Sequence, residues 1–279
     1  MRQSINIFQS IKNIGYSPVV RIPARAVLKC LNLHKPTIER NNTLAEAFTM
    51  LGEKISLDFS KRYGVTLFHN ENNSLIARGL SFEPEVQECL CCLLFLDRMR
   101  GNASRFGDIG ANIGLHSAAL AAIRPDLKVV AVEANPLLVN RIVGNIGKYS
   151  NVTLIAAGLS STYGTAMLSL NTTGNSGMSS LSPLSDTQYE QLLQIATLPA
   201  SSLSGAVPTI VKIDVEGHEF EVLSGFGPIL HLVHKYIIET SIPDQIHELL
   251  GKKIYKCRSL GPAYKRDFVF EFINGDQME

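Results

Sequence analysis

Acids and glycines gather at three places in this chain where they could do chemistry together. They are Asp108-Ile109-Gly110-Ala111-Asn112-Ile113-Gly114, then Glu133-Ala134-Asn135-Pro136, then Lys212-Ile213-Asp214-Val215-Glu216-Gly217, with Glu239 following at the end of Tyr236-Ile237-Ile238-Glu239. A glycine at 110 lets the backbone turn tightly and approach a ligand, and a helix beginning just beyond it offers free N–H groups. Those are the properties of a cofactor loop. A dinucleotide fingerprint places its glycines as G-x-G-x-x-G, whereas Gly107, Gly110 and Gly114 are spaced by three and four, which weakens a nicotinamide reading. Asp108 would bring a carboxylate towards a pyrophosphate, but it suits the ammonium of an amino-acid moiety, and so favours S-adenosylmethionine. Glu133 is placed to accept bonds from two ribose hydroxyls, as an acid there would for either cofactor.

The third group reads as the reacting end. If the chain stays extended to Glu216, a period of two sets Lys212, Asp214 and Glu216 on one face. Glu239 would close the neighbouring strand, about 4.8 Å away. A carboxylate within reach of a substrate hydroxyl can take its proton as attack proceeds. Asp214 is the first candidate for that base, with Glu216 and Glu239 as orienting groups. Asp214 and Glu239 are also the residues that would hold a divalent cation, since such ions prefer oxygen donors; nothing in the spacing demands one, and none is expected. The bland alternative is that one of these acids pairs with Lys212 or caps the helix opening at His218.

Elements able to position these groups follow from periodicity. Apolar, β-rich runs at 105–109, 128–132, 152–156, 210–213, 236–238, 254–257 and 268–272 predict seven strands, and the first five include near-continuous apolar runs, as in a parallel sheet covered on both faces. Helical patterns at 115–123, 136–149, 219–230 and 244–250 separate most of them. The pattern is an open, doubly wound α/β sheet, in which ligands bind beyond the carboxyl ends of the strands. The stretch 162–205 is dense in Gly, Ser and Thr and is expected to insert one strand and a short helix as a loop covering the substrate. A helix over 85–99 and a hairpin region over 55–80 precede the sheet.

Four segments in this order, Phe106-Gly-Asp-Ile-Gly-Ala-Asn-Ile-Gly114, Val132-Glu-Ala-Asn-Pro136, Ser176-Gly-Met-Ser-Ser-Leu181 and Lys212-Ile-Asp-Val-Glu-Gly-His-Glu219, resemble the FkbM family of S-adenosylmethionine-dependent methyltransferases. The resemblance covers roughly 82–239. It implies a class I methyltransferase, Rossmann-like fold: a seven-stranded, mostly parallel mixed sheet with helices on both faces. Here that domain would span 81–279, with the insertion at 162–205, behind a small N-terminal α+β extension over 1–80. It implies O-methylation of a hydroxyl on a sugar, glycolipid or secondary metabolite. Asp108, Gly110, Ala111, Asn112, Gly114, Glu133, Ala134 and Asn135 would hold the cofactor. The segment Ala156-Ala-Gly-Leu-Ser160 supplies no acid for the adenine amino group, which leaves backbone groups or Ser160 to recognise it. The alternatives are a NAD-type oxidoreductase and a non-catalytic adenosylmethionine-binding protein.

Composition bounds what remains. The 279 residues are 45% apolar and 18% charged, which excludes a wholly disordered chain. Lys plus Arg (26) nearly equal Asp plus Glu (25), so no global field draws the chain to a polyanion, and the Asp-Pro-Pro-aromatic loop of amino-group nucleic-acid methyltransferases is absent after the fourth strand. No nucleic-acid partner is expected, and the family resemblance implies a small molecule or glycan as acceptor. The longest strongly apolar run, 89–96, is far shorter than the roughly 20 residues of a spanning helix. Residues 1–38 hold six basic residues and no acid, and Arg25, Lys29 and Asn32 recur at helical spacing, which would permit peripheral contact with a membrane surface, although packing on its own domain is favoured. Five cysteines without paired ligand spacing are read as reduced, and the protein as cytoplasmic.

Overall fold

The computed structural model describes residues 86, 89–90, 105–171, 176–182, 189, 191–260 and 266–273. The predicted extension over 1–80, with its basic helix and hairpin, lies outside the described residues. Of the predicted helix over 85–99, Val86, Cys89 and Leu90 are helical and buried.

Seven strands form the main sheet. They are β1 (Arg105–Ile109), β2 (Lys128–Val132), β3 (Val152–Ile155), β7 (Ile210–Ile213), β8 (Lys235–Glu239), β9 (Tyr255–Ser259) and β10 (Asp267–Phe272), in the order β3-β2-β1-β7-β8-β10-β9. The first five in that order run parallel; β10 lies antiparallel between β8 and β9. Helices α1 (Leu115–Ile123), α2 (Val139–Ile146), α3 (Glu219–Phe226) and α4 (Pro243–Leu250) cover it. Alternation along the strands explains the layers. Val211 and Ile213 pack with Val222, Leu223 and Phe226 of α3, while Ile210 and Phe106 face Leu120 of α1 and Val129. Two helices are shorter than their sequence patterns, because Pro136–Leu138 and Gly227–Leu232 adopt 3-10 turns instead. At Gly227 the backbone goes left-handed and ends α3.

The insertion corrects an expectation. It contains two strands, β5 (Gly164–Leu170) and β6 (Gln191–Pro199), which with β4 (Gly158–Ser160) make a second sheet in the order β4-β6-β5. Leu168, Leu170 and Ile195 form its own buried cluster, with Leu181 packed against it. The alternation that would have revealed these strands is broken, because Ser169 and Thr197 sit among their buried positions while Met167 and Leu192 face solvent.

Small residues set how closely these layers approach. Gly107 stands in β1 where an apolar residue is usual, and a Cβ there would meet Pro208 Cγ at 2.9 Å. Gly225 brings α3 against β4, where a Cβ would fall 2.0 Å from the Ser160 carbonyl oxygen. Backbone cannot yield as a side chain does, so Gly225→Ala must push α3 away from the second sheet. We expect a loss of about 1–3 kcal/mol, measured as a fall in the denaturant midpoint; an unchanged midpoint would refute this packing.

Candidate functional site

The strand order reverses between β1 and β7, and the crevice opens there, beyond the carboxyl ends of the strands. Gly110 has φ +79°, and a Cβ on it would lie 1.7 Å from the Asp214 carbonyl oxygen, so only glycine lets the loops after β1 and β7 touch. The contact is held by Asp214 N–H donating to the Ile109 carbonyl at 3.0 Å. Gly110 and Ala111 N–H both donate to the Val132 carbonyl at 3.0 Å, which ties in the end of β2. Asn112 follows with φ 52°, and Gly114 N–H closes the turn on the Ala111 carbonyl.

These loops wall a cavity of about 280 Å³. One part is lined by Gly110, Ala111, Asn112, Glu133, Ala134 and Leu138, with Ala157, Gly158 and Leu159 beside them; the other by Lys212, Asp214, Glu216, His218 and Glu239, with Gly177, Ser179 and Leu181 of the insertion. Most of the residues singled out from the sequence therefore meet in one space. Gly114 and Asn135 stand just behind it. Gly114 is the left-handed cap of α1, and the Asn135 side chain accepts from Leu137 N–H to start the 3-10 turn.

Glu133 is buried, and its oxygens accept from Asn112 N–H at 2.7 Å and Asn135 N–H at 2.8 Å. Burial pushes this carboxyl up to about 7, against the pull of those two bonds. Each oxygen keeps a second accepting position, enough for two hydroxyls. Asn112 Oδ1 is buried without a hydrogen-bond partner in the protein, and its residue lines the cavity.

The structure alters several details of the sequence reading. Asp108 does not line the cavity: it is fully buried in β1, and its Oδ2 accepts from both the N–H and the hydroxyl of Ser117, at 3.1 and 2.6 Å, so it anchors α1 to the sheet. The chain is not extended to Glu216, because β7 ends at Ile213 and Glu216 has φ 51°. A turn, not a strand face, brings its side chain to the cavity. The pairing of an acid with Lys212 is realised, with Lys212 Nζ donating to Asp214 Oδ2 at 2.8 Å. The Ser160 hydroxyl is engaged at 3.1 Å by His218 Nε2, while Ala157, Gly158 and Leu159 just before it line the cavity.

Asp214 and Glu239 do come together as expected. Ile213 pairs with Ile238, so the two acids leave adjacent strands side by side. Sequence reasoning missed Glu219 and His218. Glu219 Oε1 accepts from Gly217 N–H at 2.7 Å and steadies the start of α3, and burial pushes its carboxyl up to about 7. Desolvation holds His218 below its ordinary value, hence neutral, and its Nδ1 lies 2.7 Å from the Ser182 hydroxyl. The sequence signal was their place at the end of the Lys212–Glu219 motif segment, where neither was given a site role. Among the described residues, no group of three or more His, Cys, Asp or Glu side chains could hold a metal ion.

The sheet order and the cavity at its switch point define a Rossmann-like, class I methyltransferase fold. The chain belongs to the FkbM methyltransferase family: the family's domain model, described as Methyltransferase FkbM domain, matches residues 108–251. The hexuronic acid methyltransferase AglP of Haloferax volcanii is 32% identical over 153 residues, 52% of this chain and 60% of that protein. The match thus spans about 60% of this relative's length. Among solved structures, the FkbM methyltransferase from Methylobacillus flagellatus KT superposes with a TM-score of 0.43 at 13% identity, covering 89% of this chain and 59% of that one. The N-terminal domain of human METTL16, in complex with SAH, does so with 0.45 at 13%, covering 82% and 83%.

The raised carboxyls carry a signature in stability. Glu219 titrates near 7 when folded and 4.5 when unfolded, so its stabilising contribution is complete below about 4.5 and is lost as pH rises through about 7. Glu219→Gln keeps the accepting oxygen and imitates the protonated form. Relative to wild type, it should gain about 2 kcal/mol between pH 5.5 and pH 8, read from denaturant midpoints at each pH. Parallel curves for the two proteins would mean that the buried carboxyl titrates normally.

Proposed function

We propose that this chain transfers a methyl group from S-adenosylmethionine to a hydroxyl oxygen of a sugar or sugar-bearing acceptor, with Glu216 as the base. The observation that carries the reading is the shared cavity, whose lining includes a carboxyl poised near neutrality together with the Gly110 loop and Glu133.

The residues present fit such a donor. Glu133 and the unpartnered Asn112 Oδ1 offer acceptors for hydroxyls or an ammonium, Leu138, Ala157 and Leu159 offer an apolar bed for a base, and the nearby carboxylates suit a cation. When bound, S-adenosylmethionine supplies a methyl carbon already made electrophilic by its sulfonium, and attack by oxygen leaves the sulfur neutral. What the chain must add is alignment, exclusion of water and removal of the hydroxyl proton. Burial and the neighbouring Asp214 push Glu216 up to about 7, close to the optimum for a general base at physiological pH. Asp214 is the less suitable base, because Lys212 already occupies one of its oxygens; its role is to orient the acceptor together with Glu239. A divalent cation between Asp214 and Glu239 is unnecessary on this reading, since the Lys212 ammonium supplies positive charge beside them.

The acceptor class rests on the family and on the sugar-acid name of the Haloferax relative, together with a polar far wall of Ser179, His218 and Glu239 that suits hydroxyl groups. A small-molecule or glycan acceptor follows.

Calorimetry with S-adenosylmethionine and S-adenosylhomocysteine should show binding, and Gly110→Ala should abolish it. Binding of NAD in their place would overturn the reading. Glu216→Gln should leave donor affinity within about two-fold and cut turnover on a sugar-hydroxyl panel by about 10²- to 10⁴-fold. The wild-type rate should rise with pH through about 7 as Glu216 loses its proton, and should persist in excess EDTA. A rate independent of pH between 5.5 and 8 would remove Glu216 as the base.

A further inference from the structure

Ser180, in the serine-rich segment of the insertion, has no task in methyl transfer as described so far, yet it reaches the acid proposed as the base. Ser180 is 1% exposed and forms an isolated bridge with Ser169, their N–H and carbonyl groups exchanging bonds of 2.9 and 3.0 Å. That bridge fixes the Ser180 backbone to the second sheet. Its hydroxyl accepts from Ser182 N–H at 2.9 Å and donates to the Glu216 carbonyl at 2.6 Å.

Glu216 is the residue whose backbone is strained. Among the described residues, only Asn112 and Glu216 combine a side chain with positive φ, and glutamate has none of asparagine's tolerance for that region. Such a conformation persists only where its surroundings over-determine it. Two bonds do so here: Ser180 holds the carbonyl of residue 216, and the Glu219 carboxyl holds the N–H of residue 217. The turn they fix carries the Glu216 side chain to the cavity.

We propose that Ser180 is the positioning residue for Glu216, through which the insertion sets where the cavity's acid sits. Its catalytic consequence rests on the methyl-transfer reading; the geometry does not. Remove the hydroxyl, and Glu216 relaxes to an ordinary backbone conformation and its carboxyl swings away from the groups that tune it. Those groups are Asp214 and Glu219, which oppose its ionisation, and Lys212 and Arg266, which favour it, with burial the largest influence. His218 and Glu239 line the same cavity.

The test follows the Glu216 carboxyl by carbon-13 NMR across pH, assigned through its loss in Glu216→Gln. In wild type the midpoint is expected at about 7, and Ser180→Ala should lower it by at least one pH unit, towards 4.5. An unchanged midpoint in a folded Ser180→Ala protein overturns the proposal. Should that variant not fold, a glycine at 216 removes the strain. Ser180→Ala combined with Glu216→Gly should then fold, and a double variant as unfolded as Ser180→Ala alone also overturns it. No methyl donor enters either measurement, so calorimetry showing no affinity for S-adenosylmethionine would refute the methyl-transfer reading while leaving this one to be decided separately.

Discussion

The close approach of two backbones, at Gly110 and the Asp214 carbonyl, is the constraint from which the site is built. Parallel strands β1 and β7 must end level with each other and then diverge around a crevice. With no side chain at 110, the loops can meet before they part, and the cavity keeps a floor made of main chain. Everything that follows on the cofactor side inherits this geometry: the double N–H bond to Val132, the left-handed turn at Asn112 and the locking of Glu133 by two backbone donors. The acid at 133 is thereby part of the loop's own hydrogen bonding as well as a ligand-facing group.

Both parts of the cavity are marked by burial of charge. Glu133, Glu216 and Glu219 are each pushed up to about 7, chiefly by burial, with Asp214 adding repulsion. Lys212 takes a Asp214 oxygen and is the cation that makes so many buried acids tolerable. A site of this kind gives up folding stability at neutral pH in order to hold carboxyls near the protonation state that a proton acceptor needs. It also favours a positively charged occupant, whose arrival would compensate the crowded acids.

The second sheet closes the structure over the site in a way that bare loops could not. Its β4 strand descends directly from β3, and Gly225 seats α3 against it, so the insertion shares a rigid frame with the acidic turn. Ser180, Ser182 and Ser160 then reach Glu216 and His218 from that frame. Three small hydroxyls, rather than a charged clamp, connect the covering element to the acidic turn.

Periodicity alone placed the strands carrying the site, because fully buried parallel strands must be apolar on both faces: β1, β2 and β7 have the predicted limits. The motif glycines and acids were legible for the same reason, as residue types that the sheet's core would not otherwise accept. What periodicity could not show was direction. Asp108 is an acid in a cofactor motif by sequence, but the pairing of β1 turns it inward to Ser117. Glu216 reaches the cavity through a left-handed turn rather than along a strand, and the strands of the insertion bury Ser169 and Thr197 while exposing Met167 and Leu192, which breaks their alternation. Those outcomes depend on contacts between residues dozens of positions apart, such as Ser180 with Glu216, whose energies enter only when the chain has folded and two backbones lie within reach of each other.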